Sequence, residues 1–196
     1  MTSALLEKDA KYIWHPYTQH QIDATPLPVV AGEREFLILE NGRRVIDATS
    51  SWWVSVLGHA HPDLIKALSQ QAQKIEQVIF AGTTHPKAVE LAELLSQKMP
   101  FSAAKFFYSD DGSTAVEVAL KIAIAAHTRL FGKKTRTIYA LEGGYHGDTF
   151  GAMSLGKGLF SEPYNDYIFS VKQIPLVQNG QECNCQLLKE IEDEFT

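Results

Sequence analysis

The sequence predicts an α/β domain on a mainly parallel sheet, with a smaller α+β region ahead of it. Three observations carry that prediction. A strand-like run, Lys105-Phe106-Phe107-Tyr108, leads through Ser109-Asp110-Asp111-Gly112-Ser113-Thr114 into a long apolar helix over 113–130. A second strand-like run over 136–141 follows and ends in the compact loop Gly143-Gly144-Tyr145-His146-Gly147-Asp148. Strands alternating with helices build parallel sheets through crossover connections. Further upstream, runs over 35–40 and 43–47 flank Asn41-Gly42, a two-residue hairpin signal because both residues tolerate positive φ.

The remaining elements follow in chain order. Residues 1–30 read as irregular, rich in aromatics and proline. Pro62 opens a helix to about 77, with Leu64, Ile65, Leu68, Ala72 and Ile75 on one face. Pro86 opens another to about 98. In the helix over 113–130, Thr114 stands three residues before Glu117, the spacing of a capping box. That helix is apolar nearly all round, which predicts burial on more than one side. A short helix is expected over 149–155, a short strand at Ile168-Phe169-Ser170-Val171, and a last helix over 186–196.

Composition narrows the function. A chain of 196 residues with 45% hydrophobic content can bury a sizeable core. The net charge is −5, and the only basic pairs are Arg43-Arg44 and Lys133-Lys134, so nucleic acid is not expected as a partner. No apolar run approaches the roughly 18 residues of a membrane span. The first residues lack the basic and apolar regions of a secretory signal, which makes the cytoplasm the expected compartment. Cys183 and Cys185 read as two thiols in a loop. His59, His61 and His85 lack the helical i, i+4 spacing of a zinc pair, so no metal is expected.

Several residues stand out chemically. Gly112 and Ser113 open a helix after a strand, where unpaired N–H groups and the helix dipole suit a phosphate; the same pair also serves as an ordinary cap. Tyr145 lies in a glycine-rich loop that brings backbone close to a ligand, and its ring suits stacking or simple packing. His146 and Asp148 can orient a cofactor, or act as a loop histidine and a helix cap. Trp52 and Trp53, read as extended, would point to opposite faces, one to the core and one to a cavity. Trp14-His15-Pro16-Tyr17 is an aromatic cluster that also reads as a staple for the N-terminus.

Four motifs together resemble the class III, pyridoxal-phosphate-dependent aminotransferases. They are Trp14-His15-Pro16-Tyr17-Thr18, Ser50-Ser51-Trp52-Trp53, the Ser109–Lys121 run quoted in part above, and Gly144-Tyr145-His146-Gly147-Asp148-Thr149-Phe150-Gly151-Ala152-Met153-Ser154. The match becomes vague after about Leu159. The resemblance implies the major domain of a fold type I pyridoxal-phosphate enzyme, incomplete here, with residues 1–58 contributing to a small domain and the active-site rim and 59–196 to the cofactor-binding domain. It implies that Gly112 and Ser113 hold the phosphate of pyridoxal 5'-phosphate and that Tyr145 stacks on its pyridine ring. Tyr17 and Trp52 would line the substrate pocket, Trp53 would pack nearby, and His146 and Asp148 would support the loop. The two aromatic motifs point to the biotin-pathway branch, which implies S-adenosylmethionine as amino donor, 8-amino-7-oxononanoate as acceptor and a homodimer.

The family also needs a lysine that joins the cofactor as a Schiff base, normally after a strand containing Asp-Glu. None of the thirteen lysines has that context. The sequence therefore reads as the N-terminal half of a longer protein cut at Thr196, lacking its catalytic lysine and inactive alone. Two other readings compete: a different class III enzyme, such as an ω-amino-acid aminotransferase or an aminomutase, and a non-catalytic fragment that acts as an interaction module.

Overall fold

The computed structural model describes residues 3–102, 105–132, 137–156, 158, 161–176 and 185–195. The chain divides into two compact units, Met1–Leu91 and Ala92–Thr196.

The first unit opens with helix α1, Ala4–Tyr12, inside the stretch expected to be irregular. The Ser3 hydroxyl caps it by accepting the Leu6 N–H at 3.2 Å. No residue of α1 is buried. Three antiparallel strands follow: β1, Val29–Glu33; β2, Phe36–Leu39; and β3, Arg44–Ile46. Strand β1 was also unexpected, because its VVAGE sequence carries a bulge between Val29 and Ala31 that breaks the alternation.

The β2–β3 hairpin forms where expected, with a different loop. Leu39 N–H donates to the Arg43 carbonyl at 2.9 Å, and Gly42 N–H to the Leu39 carbonyl at 2.8 Å. The loop is thus three residues long, a turn closed by Gly42 at φ +78°, while Asn41 keeps a negative φ. Asn41 instead uses its side-chain oxygen to accept the Arg43 N–H at 3.0 Å. After β3 comes a single turn, α2, Ser50–Trp53, then helices α3, Pro62–Ala72, and α4, Pro86–Ser96. Helix α3 stops before the predicted end because the Gln71 side chain donates to the Ile75 carbonyl and Lys74 N–H turns back to Gln71.

The second unit is built on helix α5, Gly112–Phe131, strand β4, Tyr139–Leu141, helix α6, Phe150–Leu155, and strand β5, Lys172–Ile174. Strands β4 and β5 pair in parallel, as the α/β reading requires. Helix α6 is its core: Gly151, Ala152, Met153, Ser154 and Leu155 are all buried. Ser154 Oγ donates to the Phe150 carbonyl at 2.6 Å and accepts the Phe169 N–H at 3.1 Å. That second bond displaces the expected strand at 168–171. Phe169 N–H goes to a side chain, so the ladder starts only at Lys172.

Other expectations also change here. Lys105-Phe106-Phe107-Tyr108 has no strand pairing among the described residues, since a strand exists only where a neighbour satisfies its backbone. Helix α5 buries none of its residues, and Ile122 and Ile124 are exposed. Apolar composition states what a helix can bury; burial itself needs neighbours, and the described element that packs on α5 is α6. The last helix, α7, spans Cys185–Phe195. Cys183 lies outside the described residues. No helix among the described residues is long and apolar enough to cross a membrane.

Candidate active site

The Gly-Ser turn begins α5 one turn earlier than its capping-box signature suggested. Asp111 is the N-cap, and its carboxylate accepts the Thr114 N–H at 2.8 Å. The Thr114 hydroxyl returns the interaction by accepting the Asp111 N–H at 3.1 Å. Thr114 is therefore the third residue of the helix, with Asp in the capping role it fills as well as Ser or Thr. The first intrahelical bond runs from Ala115 N–H to the Asp111 carbonyl, so the N–H groups of Gly112 and Ser113 precede the helical ladder. A Cβ on Gly112 would meet nothing within 4 Å, which leaves room at the helix end for an anion. Ser113 Oγ accepts the Asp148 N–H at 3.2 Å and retains its own proton to donate. These features fit a phosphate group.

The Tyr145 loop is fastened to that helix end through two matching pairs of residues. Ser113 and Glu117 lie four apart on α5, hence on one face. Gly147 and Gly151 lie four apart on the opposing segment. A Cβ on Gly147, whose φ is +126°, would come within 2.7 Å of Ser113 Cβ. A Cβ on Gly151 would come within 2.6 Å of Glu117 Oε1. Glu117 Oε1 accepts from the Thr149 hydroxyl at 2.6 Å, Gly151 N–H at 2.7 Å and Ala152 N–H at 3.1 Å. The Thr149 hydrogen bond is the main reason the Glu117 carboxyl lies below its ordinary pKa; burial opposes it, and the Ala152 and Gly151 N–H groups and Lys121 add to the lowering.

Within the loop, Tyr145 Oη donates to Asp148 Oδ2 at 2.8 Å, and the Tyr145 ring is 70% exposed. The sequence leaves Asp148 open as a cofactor-orienting residue or as a helix cap. The N-cap of α6 is instead Thr149, and the donors at that helix start go to Glu117. Asp148 thus holds Tyr145 through its side chain and Ser113 through its backbone. His146 Nε2 is buried with no hydrogen-bond partner.

In the first unit, Tyr17 and Trp52 meet edge to face, with ring centroids 5.4 Å apart and planes at 68°. The expected extended conformation of Trp52-Trp53 is not found. Ser50, Ser51, Trp52 and Trp53 have φ of 49°, 46°, 60° and 69°, so α2 is a left-handed turn and the indoles do not alternate as on a strand. Trp52 and Trp53 are 67% and 78% exposed, so neither is a core residue within this chain. Trp14 is likewise exposed, while its neighbour His15 lies 2.9 Å from Asp9 of α1. No group of three metal-ligating side chains is gathered among the described residues.

Sequence reading missed Glu117 as a site residue. The available signal was its position four residues after Ser113, but the donors it serves lie more than thirty residues away in sequence.

An α/β unit with an anion-ready helix end tied to an aromatic loop is the frame of a phosphorylated-cofactor enzyme. The family model for aminotransferase class-III matches residues 17–194, and the chain belongs to that family. It is 46% identical over 165 residues to the adenosylmethionine-8-amino-7-oxononanoate aminotransferase of Synechococcus elongatus, covering 84% of this chain and 39% of that protein. Its likeness to the protein of the same name from Aquifex aeolicus is 37% over 201 residues, covering 96% and 44%. Among solved structures, the adenosylmethionine-8-amino-7-oxononanoate aminotransferase of Methanocaldococcus jannaschii superposes with a TM-score of 0.86 at 36% identity, covering 96% of this chain and 44% of that one. An omega transaminase from Pseudomonas jessenii in complex with PMP gives a TM-score of 0.82 at 25% identity, covering 98% and 45%. The chain thus spans less than half the length of each of these proteins.

Proposed function

We propose that a polypeptide containing this chain is a pyridoxal-phosphate-dependent aminotransferase of biotin biosynthesis. It moves an amino group from S-adenosylmethionine to 8-amino-7-oxononanoate, giving 7,8-diaminononanoate. The observation that carries this reading is the Ser113–Asp148 hydrogen bond, which joins the helix end suited to a phosphate to the loop that presents an aromatic ring. The names of its relatives from Synechococcus, Aquifex and Methanocaldococcus support the choice of substrates.

When bound, pyridoxal phosphate supplies an electron sink for the carbanion left by proton loss at the substrate carbon. The chain's own residues bind and orient. Gly112 and Ser113 offer two N–H groups, a hydroxyl proton and the positive end of a helix twenty residues long to the phosphate. Asp148 anchors the Tyr145 hydroxyl, so that ring is held at one end, and in this reading Tyr145 is the residue that stacks on the pyridine ring. His146 and Asp148 support the loop behind it. Tyr17 and Trp52 supply apolar wall for the hydrocarbon body of the acceptor, and Trp53 packs beside them. Residues 1–58 belong to a small domain and the active-site rim in this reading, and 59–196 to the cofactor-binding domain. The enzyme works as a cytoplasmic homodimer.

Amino-donor exchange with the complete polypeptide tests the proposal. Turnover with S-adenosylmethionine and not with ordinary amino acids supports it; turnover only with ordinary amino acids replaces it with an ω-amino-acid aminotransferase. Two variants probe the assigned residues. Ser113→Ala removes a phosphate hydrogen bond of about 1 kcal/mol and should weaken cofactor retention several-fold in a dialysis assay. Trp52→Ala should raise the acceptor KM about tenfold with little change in the donor KM, as expected for loss of a pocket-wall aromatic. Equal effects on both substrates would count against that wall.

A further inference from the structure

The left-handed turn that carries Trp52 is costly to form. A left-handed conformation costs an L-residue other than glycine roughly 1–2 kcal/mol. Four such residues in succession, Ser50 to Trp53, persist only where surrounding contacts over-determine them. Those contacts converge on Asp47. Its carbonyl accepts the Ser50 N–H at 3.1 Å. Its Oδ2 accepts the Ser51 hydroxyl at 2.7 Å and lies 2.9 Å from His59 Nε2.

Both Asp47 and His59 are fixed to the sheet. Asp47 N–H donates to the Glu35 carbonyl at 2.8 Å. His59 exchanges backbone hydrogen bonds with Arg34, at 3.0 and 2.7 Å, in an isolated antiparallel bridge at the β1–β2 connection. The His59 side chain also presses on the backbone of β1: a Cβ on Gly32 would lie 2.7 Å from His59 Cβ. The two side chains are 7% and 18% exposed, so their hydrogen bond is shielded from water. A continuous path of polar contacts therefore runs from the hairpin through His59 and Asp47 to Ser51. The next residue is Trp52, whose ring meets Tyr17.

We propose that Asp47 and His59 are positioning residues that set Trp52 in the acceptor pocket by holding the Ser51 turn against the hairpin. The inference rests on the reading of Trp52 as pocket wall. Neither side chain need touch substrate. Their effect reaches the acceptor through the geometry of one indole, so it should separate acceptor binding from cofactor binding and from donor use. A misplacement near 1 Å is enough to cost an order of magnitude or more in such a site.

The test uses the complete, cofactor-loaded enzyme and the variants Ser51→Ala, His59→Gln and Trp52→Ala. Two quantities are read: the acceptor KM beside the donor KM, and the part of the near-ultraviolet circular dichroism that Trp52→Ala removes. Ser51→Ala and His59→Gln should each raise the acceptor KM about tenfold, leave the donor KM and cofactor content at wild-type values, and lose the Trp52 signature. If His59→Gln does not fold, Ser51→Ala decides alone, because it removes a single exposed hydroxyl. A wild-type Trp52 signature in these variants overturns the inference. So does a lost signature with an unchanged acceptor KM, provided Trp52→Ala itself raises that KM. If Trp52→Ala leaves the acceptor KM unchanged, the pocket-wall reading has failed, and the dichroism still decides whether Asp47 and His59 hold the turn.

Discussion

Gly147→Ala is expected to destabilise the protein by about 3 kcal/mol and to strip it of bound cofactor. Two costs combine. At φ +126° a side chain is strained wherever it points. The new methyl would also lie 2.7 Å from Ser113 Cβ and 2.8 Å from Ser113 Cα. Neither atom can yield easily, because Ser113 is the second residue of a twenty-residue helix. Relief must come from the loop, which moves Asp148 N–H off Ser113 Oγ and shifts Tyr145. Chemical denaturation and the visible absorbance of bound pyridoxal phosphate check the two effects in the complete polypeptide. A variant with wild-type stability would show that the loop and helix do not approach this closely.

Glu117→Ala should cost a comparable amount, about 3 kcal/mol, by a different route. It leaves the Thr149 hydroxyl and the Gly151 and Ala152 N–H groups without their acceptor, at the start of a helix whose residues 151–155 are buried. Unsatisfied buried donors cost roughly 1–3 kcal/mol each, less where water reaches them. Glu117→Gln keeps one acceptor oxygen and should recover part of the loss. The carboxyl is held below its ordinary range in the fold, so the folded state binds a proton there less readily than the unfolded chain. Its stabilisation is present above the unfolded value, near 4.5, and is lost as pH falls through the lower folded value. A urea-unfolding series across that acid range should therefore show a falling midpoint in the wild type and a shallower fall in Glu117→Gln. Identical slopes would remove Glu117 as the cause.

Much of the fold was legible in the chain because its signals are local. Pro62 and Pro86 start helices by their fixed φ, and the long apolar run after Ser113 had to be helical at that length. Asn41-Gly42 marked the hairpin, although the three-residue loop depends on Leu39 pairing with Arg43, a choice that strand register makes. The Gly112-Ser113 turn and the Tyr145 loop were visible as separate candidates. Their connection was not, since the bond from Asp148 to Ser113 spans thirty-five residues.

The misreadings share a cause. Capping is one of the two roles the sequence leaves open for Asp148, because it precedes a helix, yet Glu117 accepts the donors of that helix start and Asp148 holds Tyr145. Trp52 and Trp53, read as an extended segment, would point to opposite faces. Asp47, held to Glu35 by a sheet-like bond, bends them into a left-handed turn. Helix α5 was expected to be covered because it is apolar, but coverage is supplied by other elements and cannot be inferred from the helix itself.

The sequence by itself determined which residue types were available: a glycine and hydroxyl at a helix start, an aromatic in a glycine loop, and paired tryptophans after an aspartate. Those features follow from backbone sterics and capping, which act over a few residues. Tertiary structure decided what each partner does. It matched Ser113 and Glu117 to Gly147 and Gly151, and tied Ser51 to His59 through Asp47. Such pairings depend on close approach of segments distant in sequence, and only the packed chain determines that approach.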